Sequence, residues 1–236
     1  MHLLNRYLEI TNKYEIPDEL VKECYENILK NDIAHNVDHV YRVLQYGDFL
    51  IKKIKGLIIE GKLVIDFYGF KARSVILGCL MHDLGCQFDR KDHHIISYGM
   101  CVGLMSKYDT FGLEEIKVTG RACLEHRASY TGGTTSFVSE LVAVADRGPI
   151  DMEEFITRTV KFAFEKYKGN EGLIFDHAIN HLKDKISKNG YMWKTYPPIG
   201  WYFNALEIYA LKGVVEDERR LTDKVLQNIS HFLSTK

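Results

Sequence analysis

Val75-Ile76-Leu77-Gly78-Cys79-Leu80-Met81-His82-Asp83-Leu84-Gly85 is an apolar run that ends in an imidazole, a carboxylate and, two residues on, a glycine. The pattern predicts a helix over Lys71 to Met81, apolar all round and so a core helix. An imidazole and a carboxylate at the buried end of such a helix are costly unless a metal or hydrogen bonds satisfy them. His82 and Asp83 are therefore candidate metal ligands. A helix-end histidine that only bonds a carbonyl fits the same two letters, so the pair has to be weighed with its neighbours.

Those neighbours stand in four places. His39 lies in His35-Asn36-Val37-Asp38-His39-Val40-Tyr41-Arg42-Val43, the opening of an amphipathic helix. Asp146 ends the apolar run Leu141-Val142-Ala143-Val144-Ala145-Asp146 and is followed by Arg147. His126 stands 20 residues before Asp146, and the adjacent His93 and His94 follow the His82-Asp83 loop. With these in order the chain resembles the HD-domain metal-dependent phosphohydrolase superfamily over residues 35–147, in its six-ligand, two-metal form.

The resemblance implies an all-α HD-domain helical bundle. It implies metal ligation by His39, His82, Asp83 and Asp146, and a second ion held with His126 and one of His93 and His94. His93 is favoured, because the family's ligand precedes a small residue by four and Ser97 fits, whereas His94 would put Tyr98 there. The other histidine then caps a helix or touches substrate. The resemblance also makes Asp83 the carboxylate that bridges two ions. Imidazole and carboxylate suit Mn, Fe, Co, Ni or Zn. Two such ions activate a bridging water to hydroxide near neutral pH and clamp the attacking and leaving oxygens, which suits hydrolysis of a phosphate ester or anhydride.

Asp83, His126 and Arg147 form the candidate catalytic set. Arg42, Arg127 and Lys194 are candidate substrate contacts, since guanidinium and ammonium groups recognise phosphate. Arg42, three residues past His39, fits a bracing role beside a carboxylate equally well. His35, four residues before His39, reads as a helix cap, a support for the ligands or a substrate contact. Arg90 and Lys91 follow the His82-Asp83 loop, where they either meet phosphate or, the plainer reading, are solvated surface. His177 and His181 are four apart, a spacing that can hold metal. No glutamate follows His177 as in a zinc protease, and polar surface is the plainer reading.

The 236 residues suit a single HD-type domain, 1–236, with the metal core in 35–147 and a helical C-terminal lobe in 150–236. A net charge of −1 leaves no electrostatic footprint for broad nucleic-acid binding. The five cysteines are odd in number, lack paired zinc spacing and sit mainly in apolar helical contexts, so they read as reduced core thiols. Cys86, in the loop after Asp83, is the exception: it lines the site or is exposed. No apolar run approaches the roughly 18 residues of a membrane span. The N-terminal residues lack the apolar core of a signal peptide, so the expected compartment is the cytoplasm.

Apolar periodicity predicts helices over Asp18 to Lys30, Val37 to Lys55 (closed by Gly56), Ile95 to Lys107, Leu113 to Glu125, Ser136 to Ala145, Met152 to Lys168, Gly172 to Ser187, Gly200 to Lys212 and Asp217 to Leu233. Leu57 to Phe67 reads as a hairpin or a loop. The stretch Tyr191 to Phe203, aromatic and with two prolines, reads either as a packed connector or as a lid whose rings stack a base while Lys194 meets a phosphate.

The expected function is a metal-dependent phosphohydrolase acting on a mononucleotide, a dinucleoside polyphosphate or a cyclic nucleotide. Two alternatives use the same ligands: a mixed-valence di-iron oxygenase, and a non-catalytic nucleotide-binding HD module. The sequence leaves the oligomeric state open, a homo-oligomer included.

Overall fold

The computed structural model describes residues 2–63 and 71–234, and among them it is all-α, with no strand. The chain divides into two compact units, Met1–Gly148 and Pro149–Lys236. No helix of the described residues is long and apolar enough to cross a membrane.

The first unit holds α1 (His2–Thr11), α2 (Asp18–Ile28), α3 (Val37–Ile59), α4 (Ala72–Met81), α5 (His93–Met105), α6 (Leu113–Glu125) and α7 (Phe137–Arg147). A short 3₁₀ turn, Leu84–Gln87, leads from α4 towards α5. The helix α4 is the axis of the unit. Every residue from Ser74 to Met81 is buried, and α3, α6 and α7 pack around it. Gly78 lets α7 come close, since a Cβ there would lie 2.6 Å from Val142 Cγ2. One bidentate ion pair joins α4 to α6, with Arg73 Nε and a terminal nitrogen donating to Glu115 at 2.7 and 2.6 Å.

The helix α3 buries the expected stripe, Val40, Val43, Leu44, Gly47, Leu50, Ile51 and Ile54. Asn36 caps it by accepting the amides of Asp38 and His39. Gly56 does not end it. An isolated glycine inside a helix costs only about 1 kcal/mol, and α3 runs on to Ile59. It stops where Gly61 takes a positive φ of 68°. There the Gly61 amide bonds the Ile58 carbonyl and the Lys62 amide bonds the Leu57 carbonyl, a Schellman ending. The part of the expected hairpin or loop at residues 64–67 lies outside the described residues.

Two helices were not anticipated by periodicity. One is α1, whose Tyr7 is fully buried and donates its hydroxyl to the Val37 carbonyl at 2.5 Å. The other is the four-residue α10 of the second unit, Tyr191–Lys194.

The second unit comprises α8 (Met152–Lys166), α9 (Glu171–Ile186), α10, α11 (Pro198–Glu216) and α12 (Glu218–Ser234). Asp151 and Asn170 cap α8 and α9. Two rings of the aromatic stretch are core, while Tyr202 is exposed. Trp193 and Tyr196 are only 8% and 5% exposed, and the Trp193 indole donates to the Ile186 carbonyl at 2.7 Å. Those ring faces are taken by packing and are not offered to a base. Asn204 breaks the regularity of α11 (φ −126°), and its side-chain amide bonds both Tyr196 Oη and the Gly200 carbonyl.

Candidate metal centre

Each side chain of the centre is delivered by a helix end of the first unit. His39 comes from the first turn of α3, His82 and Asp83 from the end of α4, His93 from the start of α5. His126 follows α6 directly, and Asp146 lies in the last turn of α7. The apolar bodies of these helices pack together, so their polar ends converge. His39, His82, Asp83, His93 and His126 are all buried.

The donors form two groups that share one carboxylate. On one side, His39 Nε2 and His82 Nε2 lie 3.3 and 3.2 Å from Asp83 Oδ2, and 3.3 and 3.6 Å from Asp146 Oδ1. The two nitrogens are 3.4 Å apart. On the other side, His93 Nε2 and His126 Nε2 lie 3.4 and 3.7 Å from Asp83 Oδ1 and 3.2 Å from each other. An ion bound at about 2.0–2.2 Å from each donor places neighbouring donors about 3.0–3.5 Å apart. The residues present therefore fit a metal ion, and these buried His and Asp groups can hold one.

Three further observations favour a cation there. Asp83 Oδ2 is buried and makes no hydrogen bond among the described residues, a costly state for a carboxylate oxygen unless a cation meets it. Two imidazoles give their Nδ1 to a carbonyl three residues back, His82 to Cys79 at 2.9 Å and His126 to Cys123 at 2.7 Å. His93 does the same with Arg90 at 2.8 Å. Each bond fixes the ring and leaves Nε2 for the centre. The charge balance agrees as well. Burial opposes ionisation of Asp83 and Asp146, yet the surrounding imidazoles hold both well below the usual carboxylate range. Burial opposes charge on His82 too, and the same two carboxylates push it up to about 10. Burial leads in lowering His93 to about 4.

The remaining sequence-predicted residues separate by position. His94 is not among the clustered donors. Its ring meets Tyr130 edge-on at 5.8 Å. Arg147 is buried and donates to the His126 carbonyl at 3.0 Å, fastening α7 to the turn that carries a donor. Arg127 is half-buried and donates to the Lys91 carbonyl. Arg42 is half-buried one turn after His39. Lys194 is exposed and belongs to the second unit. Cys86 is buried, its thiol 3.5 Å from Asp83 Oδ1, so it lines the centre and is not exposed.

Sequence reasoning missed the supports. Asn31 donates to the backbone carbonyls of both Asp83 and His35 at 3.0 Å. Asp32 Oδ1 holds His35 Nδ1 at 2.9 Å, and its other oxygen accepts from Arg90 at 3.1 Å. His35, Asp83 and Cys86 offer ligand atoms within 4.8 Å of one another. The available signal was the Asn31-Asp32 pair, turn-forming residues just ahead of the α3 cap.

No family model, curated protein or solved structure matches this chain. Fold and site thus define a class on their own terms: an all-α protein with a buried cluster of histidines and aspartates able to bind metal.

Proposed function

We propose that the chain is a binuclear HD-type metal-dependent phosphohydrolase that cleaves a phosphate ester or anhydride of a nucleotide. The observation that carries this reading is Asp83, whose two oxygens face two adjoining groups of donors. A carboxylate in that position suits a bridging role. Two divalent ions held there supply Lewis acidity, water activated near neutral pH, and a clamp on the attacking and leaving oxygens.

The chain's own residues do the rest. His39, His82 and Asp146 complete one half of the centre, and His93 and His126 the other. Arg147 is a positioning residue that steadies the His126 backbone. Arg42 and Arg127 neutralise substrate phosphate from the edges of the centre. His35, oriented through Asp32 and Arg90, turns its remaining ring nitrogen to a substrate oxygen. Lys194 is not needed for this reading.

The test is product analysis on manganese-supplemented protein. The panel contains nucleoside mono-, di- and triphosphates, dinucleoside polyphosphates and cyclic nucleotides, with Asp83→Ala run in parallel. Turnover that disappears in the variant supports the hydrolase, and the product names the bond. Absence of turnover across the panel overturns it. Bound iron with oxygen consumption then selects the oxygenase, and nucleotide binding without turnover selects the sensing module.

A further inference from the structure

A pair of imidazoles lies in the other unit, on α9. His177 and His181 are one turn apart, their rings nearly parallel (10°) with centroids 5.7 Å apart. At about 100° per residue, His177, His181 and Asp184 fall within one narrow arc of the helix. Together with Tyr167, Leu173, Asp176 and Asn180 they line a groove of about 320 Å³ that contains no lysine or arginine.

We propose that His177 and His181 form a surface chelate for one divalent ion of the zinc, nickel or copper type, with Asp184 a supporting carboxylate in the same groove. Imidazoles four residues apart on a helix can grip a single ion, and imidazole prefers these metals to magnesium or calcium. The Tyr167 hydroxyl stands 3.4 Å from His177 Nδ1. With Nδ1–H directed to that hydroxyl, the lone pair is on Nε2, the same arrangement that orients the buried donors. Asp176 and Asp184 give the groove negative charge with no basic side chain in its lining to offset it. The ion keeps water in its remaining positions and exchanges with the medium. Both histidines are half-buried and Asp184 is exposed, so these side chains can be changed without opening the core.

The site does not rest on the phosphohydrolase reading, and the test separates the two. Zinc is titrated calorimetrically into the full chain, and copper is followed by electron paramagnetic resonance. Four proteins are compared: wild type, Asp83→Ala, H177A/H181A, and the three substitutions combined. Asp83→Ala protein is expected to retain one equivalent of zinc and a copper signal with two nitrogen ligands. The combined variant is expected to lose both. Asp184→Asn leaves both rings in place and is expected to weaken zinc about tenfold at this site, the scale on which a supporting ligand matters. Full zinc stoichiometry in H177A/H181A, or no zinc bound by Asp83→Ala protein of native circular dichroism, overturns the proposal.

Discussion

The Ser97 hydroxyl accepts the amide proton of Gly85 at 2.9 Å, tying α5 to the turn that follows Asp83. The approach is close enough that a Cβ on Gly85 would lie 2.4 Å from the His93 carbonyl oxygen and 2.8 Å from Ile96 Cβ. Gly85→Ala must therefore push α5 away, and His93 opens that helix. The expected result is a roughly 10- to 100-fold loss of affinity for the ion on the His93 and His126 side, with the other ion nearly unaffected. Stepwise metal titration checks this. Equal weakening of both ions would show that His93 does not belong to a separate half of the centre.

Arg147 is assigned a supporting role through its bond to the His126 carbonyl. Arg147→Met removes the donor and leaves that acceptor short of a partner, a loss of about 1–3 kcal/mol in stability. Urea denaturation measures it. Turnover at saturating metal should fall only modestly. A fall of several orders of magnitude with full metal occupancy would place the guanidinium on the reacting atoms instead.

Metal binding should stabilise the native chain by mass action. At a free concentration about 100 times the dissociation constant the gain is about 2.7 kcal/mol per site. Manganese is expected to raise the melting temperature of wild type and to leave Asp83→Ala unmoved. An equal rise in both proteins would locate the stabilising ion elsewhere.

Asp48 predicts a pH effect away from the centre. Burial alone would raise its pKa, but hydrogen bonds from Lys52 and Tyr14, with Lys13 nearby, hold it below the ordinary value. A carboxylate depressed in the folded state adds stability above its unfolded pKa, and the contribution is lost as the pH falls through the folded value. Asp48→Asn should be less stable than wild type by about 1 kcal/mol at neutral pH. The gap should close as the pH drops below about 4. Denaturation midpoints across that range test it, and a gap independent of pH would contradict the assignment.

The all-α fold could be read from apolar periodicity because most helices bury one stripe each. The bounds of α6 matched the reading to the residue. Gly56 misled because a glycine is not a terminator unless its backbone turns left-handed, and here that residue is Gly61. The clustered donors were legible as residue types at helix ends. Their supports were not. Asn31 and Asp32 act through contacts that cross long stretches of chain, Asn31 to Asp83 and Asp32 to Arg90, and no local pattern encodes such pairings. The choice of His93 over His94 rested on Ser97, and the Ser97 bond to Gly85 supplies the physical reason a small residue is needed there.

The shared position of Asp83 makes the two halves of the centre unequal in formal charge. One half presents two carboxylates, Asp83 and Asp146; the other has two imidazoles and only the far oxygen of Asp83. With two dications held as proposed, the first would meet more negative charge than the second. Residence times should differ accordingly, one ion carried through dilution and the other in continual exchange with its surroundings. A protein built this way would register the ambient supply of metal through its more weakly held ion.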